Sequence, residues 1–263
     1  MARKKEKTEN IPDSVQESTE RIHSYLEQHV DLQDLQKLDL KDVSAGEVEE
    51  LLDLTGQMRE FRQLMMYYSC AMSETRTKLE VLDKELSLEQ NRNPFESIKS
   101  RLKTPASIFG KLRRKGIPFS VDNIRANLND VAGIRVICSF IDDIYKLRDC
   151  LLRQDDVTLI EEKDYIRHPK DNGYRSLHLI LEIPIFLTDE KKQVRVEVQF
   201  RTIAMDFWAS VEHKMSYKQE IPDQESVTEE LKYSAELINQ LDMRMQQIRT
   251  RIDQGRDTAR REE

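Results

Sequence analysis

Two different periods of apolar and polar residues run along this chain, and the change from one to the other marks its organisation. Leu51, Met58, Met65, Met72, Leu79 and Leu86 recur at every seventh position, and Leu54, Phe61, Tyr68 and Leu82 fill the stripe beside them. That spacing belongs to one helix face, so a long amphipathic helix is predicted over 46–92, stopped by the Asn- and Pro-containing stretch at 91–94. Near the other end, Leu231, Ile238, Met245 and Ile252 repeat at seven, with Leu241 and Ile248 between them. They predict a second helix over 221–255. Both stripes read as packing surfaces, within the chain or between subunits.

The middle of the chain switches toward a period of two. GIRVICSF at 133–140 is a β-branched apolar run and predicts a buried strand. Further strands are expected at 157–165, at 174–186 with Leu177, Leu179 and Leu181 alternating, and at 194–200 after a polar turn over 188–193. Helices are expected at 107–115, 142–152 and 202–217. Strands interleaved with helices and a hairpin predict an α/β (α+β) fold, a mixed sheet of about five strands flanked by helices, with helical N- and C-terminal extensions. The core of this fold is expected over 93–220. Residues 1–45 are polar with short apolar patches and read as partly helical or flexible, and 256–263 read as a tail.

Composition narrows the picture. In 263 residues with a formal net charge of −7, a general nucleic-acid coat and an anionic-membrane binder are poor readings. No run approaches the roughly 18 apolar residues of a membrane helix. The basic start has no apolar stretch behind it, unlike a signal peptide. Cys70, Cys138 and Cys150 have no metal-site spacing. A reduced, cytoplasmic protein is expected.

The net charge is unevenly spread. Residues 1–96 hold 13 basic and 21 acidic side chains, and residues 122–263 hold 22 and 28. Between them Lys99, Arg101, Lys103, Lys111, Arg113, Arg114 and Lys115 stand without a single acid. A solvated face would account for such a block, and so would a bound polyanion.

Common phosphate loops are absent: no GxGxxG and no GxxxxGK[ST] occurs, nor an HExxH or an HD dipeptide. What remains is a set of polar residues at strand ends. Asp130 precedes the first buried strand and Arg135 lies in it. Glu197 and Gln199 alternate with Val196 and Val198, which puts both on one face. A carboxylate there needs a cleft, a cation or an ion pair with Arg195 or Arg135, just as Asp130 could simply cap its strand. KDNGYRSLH at 170–178 is more specific, because a glycine turn delivers an aromatic ring, two cations and a histidine to one place. Such a ring can stack on a base while the cations meet phosphates.

Together with SRLKTPASIFGKL, NDVAGIRVICSF, VEVQFRT and MDFWASVEHKMSYK, that segment resembles the synthetase domain of the RelA/SpoT alarmone family. Over residues 90–220 the five motifs come in the family's order, with 23 residues from Tyr174 to Glu197. The chain is most similar to the stand-alone small alarmone synthetases, RelP type. The resemblance implies a nucleotidyltransferase-like synthetase fold that transfers the β,γ-pyrophosphate of ATP to the 3′-hydroxyl of GDP or GTP, releasing AMP, with no hydrolase. It implies that Arg101 and Arg135 sandwich adenine, that Lys103, Ser107 and Lys111 contact the ATP phosphates, and that Asp130 binds Mg²⁺. Tyr174 would stack on guanine, with Lys163, Lys170 and His178 on the acceptor phosphates. Glu197 would activate the 3′-hydroxyl and serve as a second Mg²⁺ ligand, with Gln199 as its neighbour. A homotetramer is expected, with neither membrane nor DNA as partner; regulation by an alarmone or single-stranded RNA is left open. Two rivals predict different products: a binder that has lost catalysis releases no AMP, and a generic nucleotidyltransferase releases pyrophosphate.

Overall fold

The computed structural model describes residues 45–90, 93–216 and 224–262, with side chains described over 56–88, 93–215 and 226–255. The N-terminal segment expected over 1–45 lies, but for Ala45, outside the described residues. The chain divides into two compact units. In the described residues, one comprises 45–66 and 103–128, and the other comprises 67–90, 93–102, 129–216 and 224–262.

The first unit is helical. It holds the start of α1 (Ala45–Gln90), α2 (Pro105–Arg114) and α3 (Val121–Asn127). Thr104 caps α2, accepting from Ser107 N, with Pro105 at the first turn where its missing N–H is no loss. Ser120 caps α3 in the same way. Gly116 between them takes φ 67°, a left-handed geometry suited to glycine. Phe119 stacks on Phe109 with centroids 4.7 Å apart and meets Phe61 at 5.6 Å.

The second unit is built on a five-stranded sheet of β1 (Phe95–Leu102), β2 (Ala132–Cys138), β3 (Thr158–Asp164), β4 (Leu177–Phe186) and β5 (Lys191–Thr202), in the order β1-β2-β5-β4-β3. β2 and β5 run parallel and the other neighbours antiparallel. The predicted mixed sheet is therefore observed. β1 and α3 are additions to the elements read from sequence. β1 escapes the pattern because FESIKSRL, on a sheet edge, spreads its charges over an otherwise exposed strand.

Register divides the sheet into two faces. Ile134, Val136, Leu177, Leu179, Leu181, Val196, Val198 and Phe200 are buried on one side. Buried Ile144, Leu147 and Leu151 lie on α4 (Ile141–Leu152), which packs on β2 and β5. α5 (Ile203–Ser216) follows β5 directly and packs on α6 (Gln224–Glu262). α6 runs on to Glu262, where a tail was expected from 256.

Both long helices depart from their heptad stripes. On α1 the buried line runs through Phe61, Leu64, Tyr68, Ala71, Thr75, Leu79, Leu82 and Leu86, while Met58, Met65 and Met72 are only half-buried. A straight helix drifts about 20° per heptad against a strict seven-residue repeat, so the stripe lies beside the packed line at Met58, Met65 and Met72 and falls on it at Leu79 and Leu86. On α6, Leu231, Ala235 and Ile238 pack inward, but Leu241, Met245, Ile248 and Ile252 are exposed at 56%, 47%, 43% and 51%. Replacing fully buried Leu181 by Ala is expected to cost about 2–5 kcal/mol, read as a lowered urea midpoint with an unchanged transition slope.

Candidate active site

The second face of the sheet is polar, and one register line crosses all five strands. Lys99 on β1 pairs with Arg135 on β2, Arg135 with Gln199 on β5, Gln199 with His178 on β4, and His178 with Lys163 on β3. Side chains at paired positions project to the same side of a sheet, so five polar groups stand in a row. The next line on that face sets Arg101 against Gly133, Gly133 against Glu197, and Glu197 against Ile180.

Hydrogen bonds join these rows. Glu197 Oε1 lies 3.3 Å from His178 Nδ1, and Gln199 Nε2 donates to Glu197 Oε2 at 2.9 Å. His178 Nε2 is 2.8 Å from the Tyr174 hydroxyl, to which Arg201 Nη2 donates at 2.7 Å. Arg201 and Arg135 both reach Asp206 Oδ1, at 3.0 and 3.3 Å, and Lys99 lies 3.7 Å from Oδ2. Glu197 thus bonds neither Arg195, which turns to Asn129 and Glu182, nor Arg135. Of the two readings the sequence offered for it, an ion pair with an arginine or a place in a cleft, the pair with either arginine is not formed.

The glycine turn works as its sequence suggests. Gly173 N donates to Lys170 O at 2.8 Å and Lys170 N to Tyr174 O at 3.2 Å, while Asn172 Oδ1 accepts from Tyr174 N. Lys170 Nζ comes to rest 4.8 Å over the Tyr165 ring and 5.0 Å over the Tyr174 ring, and the Arg201 guanidinium lies 5.1 Å over Tyr174. Tyr165 also meets His178 edge-on at 5.3 Å.

Charges here are strongly coupled. Burial pushes the Glu197 carboxyl up, but the bond and charge of His178 and the Gln199 amide outweigh it and hold it below its ordinary value, against the opposing charge of Asp130. Burial, joined by the Arg201 and Arg101 charges, lowers Arg135 despite Asp206. The Glu161 carboxylate raises Lys163, with a smaller contribution from Glu197. Among the described residues no group of three or more His, Cys, Asp or Glu could hold a metal. Asp130 and Glu197 are two hard oxygen donors whose charges oppose each other. Such a pair suits Mg²⁺, which is usually held by one or two carboxylates with phosphates and water completing its shell.

Of the residues singled out from sequence, Arg101, Asp130, Arg135, Lys163, Lys170, Tyr174, His178, Glu197 and Gln199 belong to the sheet unit. Lys103, Ser107 and Lys111 belong to the helical unit, where Ser107 shares a 2.9 Å hydroxyl contact with the capping Thr104. The acid-free segment is accordingly divided between the two. Sequence reasoning missed Arg201, Asp206, Lys99 and Tyr165. Arg201 was within reach, since it follows Gln199 by two on one strand; the pairing of Asp206 with β1, β2 and β5 left no local signal.

Residues 100–222 match the family described as the region found in RelA/SpoT proteins. GTP pyrophosphokinase YwaC of Bacillus subtilis is 42% identical over 208 residues, covering 78% of this chain and 98% of that protein. YjbM, a GTP pyrophosphokinase of the same organism, is 34% identical, covering 75% and 92%. Among solved structures, small alarmone synthetase 1 of B. subtilis bound to its product pppGpp is similar with a TM-score of 0.67 and 35% identity, covering 74% of this chain and 98% of that one. Small alarmone synthetase 2 of the same organism gives 0.65 and 42%, covering 73% and 99%.

Because His178 supplies the main influences that lower Glu197, His178→Gln is expected to move the Glu197 pKa upward. A carbon-13 NMR titration of the Glu197 carboxyl reads this directly; an unchanged or lowered value would deny the contact its electrostatic role.

Proposed function

This chain belongs to the RelA/SpoT family, and we propose the following assignment of its synthetase chemistry to its residues. It is a GTP pyrophosphokinase, moving the β,γ-pyrophosphate of ATP to the 3′-hydroxyl of GDP or GTP. The 3′-oxygen attacks the β-phosphorus, the bond from that phosphorus to the bridging α,β-oxygen breaks, and AMP leaves. The observation that most supports the residue assignment is the bonded group of Glu197, His178, Gln199 and Tyr174 on one polar sheet face.

Glu197 takes the proton of the 3′-hydroxyl. Its depressed pKa keeps it ionised at neutral pH, ready to accept, and His178 and Gln199 fix its two oxygens. Tyr174 stacks on guanine, which shifts Lys170 from its place over the ring and turns it, with Lys163 and His178, to the acceptor phosphates. Arg101 and Arg135 flank adenine, a role for planar delocalised cations. Lys103, Ser107 and Lys111 supply two cations and a hydroxyl for the ATP phosphates. Asp130 and Glu197 would hold Mg²⁺, which supplies charge neutralisation at the phosphoryl oxygens when bound. Phosphoryl transfer asks a protein chiefly for position and charge stabilisation, and a dry sheet behind these groups strengthens each contact.

Assembly into a homotetramer accords with the exposed apolar line of α6 and with Phe207, Val211 and Met215 exposed on α5. Among the described residues no helix is long and apolar enough to cross a membrane. A cytoplasmic location is in keeping with Cys70, Cys138 and Cys150 standing outside any disulfide.

Incubation with ATP, Mg²⁺ and GDP, then GTP, followed by anion-exchange chromatography tests the reading. Equal amounts of AMP and alarmone are expected. Released pyrophosphate would instead mark a nucleotidyltransferase, and absence of AMP a binding protein. Glu197→Gln is expected to fold normally and lose roughly 10²- to 10⁴-fold in turnover.

A further inference from the structure

Gly173 stands where a side chain does not fit. Its φ is +87°, and an added Cβ would lie 2.5 Å from Ala235 Cβ and 3.3 Å from Lys232 Cα. The backbone beside the Tyr174 ring therefore rests directly on α6. Ala235 is 4% exposed and forms a small apolar cluster with Trp208 and Ala209, against which Tyr174, Leu231 and Ile238 pack. Trp208 Nε1 donates to Leu231 O at 3.1 Å. Arg175, on the other side of Tyr174, bonds Ile166 O at 2.8 Å and Glu236 at 3.1 Å.

α6 also reaches the residue that follows the partner of the Tyr174 hydroxyl. Thr202 Oγ1 donates to Asp242 Oδ2 at 2.5 Å, and Thr202 is the residue next to Arg201. Both are buried. Farther along, Gln246 and Arg249 are bonded to Asp142 and Asp143 at the start of α4. One helix thus backs the turn that carries Tyr174, bonds the residue after Arg201, and is itself anchored beyond them.

We propose that residues 231–242 of α6 are a positioning element for the acceptor nucleotide, setting the height and tilt of the Tyr174 ring through Ala235 and the place of Arg201 through Asp242. This rests on the reading of Tyr174 as the guanine platform. α6 touches no substrate. It acts by holding a loop whose sequence, KDNGY, would otherwise be free to move as a turn. The same helix carries the exposed apolar line on its other positions, so a subunit docking there would bear on the acceptor pocket.

The test compares the wild-type chain with Ala235→Leu, which pushes a larger side chain against Gly173. Calorimetry with GDP alone and with a non-hydrolysable ATP analogue alone reads the two pockets separately. GDP affinity is expected to fall roughly ten- to hundredfold while that of the ATP analogue stays within about twofold. Equal weakening of both, or none, would overturn the proposal. Gly173→Ala is the second variant: it is expected to weaken GDP binding likewise, and adding Ala235→Gly is expected to restore part of the loss. No restoration would also overturn it. A wild type that binds GDP yet makes no alarmone would count against the catalytic reading alone, because the affinity comparison stands without turnover.

Discussion

The hydroxyl of Tyr174 holds the polar face of the sheet together. It sits 2.8 Å from His178 Nε2 and accepts from Arg201 Nη2 at 2.7 Å. The other ring nitrogen, His178 Nδ1, lies 3.3 Å from Glu197 Oε1, so the imidazole bridges the carboxylate and the phenol. Each bond thereby orients the next, from the carboxylate read as the base to the cation over the ring read as the guanine platform.

That chain explains how so many charges share one half-buried surface. A charged group out of water is tolerated when paired, and here one carboxylate, Asp206, serves Arg201, Arg135 and Lys99 from three strands. The cations are gathered and held by these pairings. Phosphates then meet a prearranged field instead of gathering loose side chains, which is how electrostatic stabilisation becomes effective. The acidic net charge of the protein is no guide to this surface, because register gathers Lys99 and Arg101 of β1, Arg135 of β2, Arg201 of β5 and Lys163 of β3 onto one sheet.

Much of this was legible in the sequence, for local reasons. VEVQF has period two, so Glu197 and Gln199 had to share a face, and the register places them beside His178. The asparagine and glycine of KDNGY had to make a turn, and they do. What stayed hidden was set by distant partners. β1 has no apolar alternation because it is an edge strand carrying Lys99 and Arg101, and its place is fixed only by pairing with β2. Asp206 reads as an ordinary acid in the first turn of a helix until Arg135, 71 residues away, closes on it. Of the alternatives for Glu197, the pair with Arg195 or Arg135 is not formed for the converse reason: Arg195 meets Asn129, 66 residues away, and Arg135 meets Asp206. The heptad stripes predicted two helices and part of the lines along which they pack: Phe61, Tyr68, Leu79, Leu82, Leu86, Leu231 and Ile238 pack, while Met58, Met65, Met72 and the stripe beyond Ile238 do not bury fully.

The central claim is that Glu197, His178, Tyr174 and Arg201 act as one hydrogen-bonded unit. A double-mutant cycle on turnover with His178→Gln and Arg201→Gln tests it most directly, since the two side chains share the Tyr174 hydroxyl on one side and are joined through Gln199 and Glu197 on the other. The unit predicts strong non-additivity, with the second substitution costing at least about 1 kcal/mol less in the presence of the first than alone. Losses that add within about 0.3 kcal/mol would show the two residues acting independently and would contradict the account.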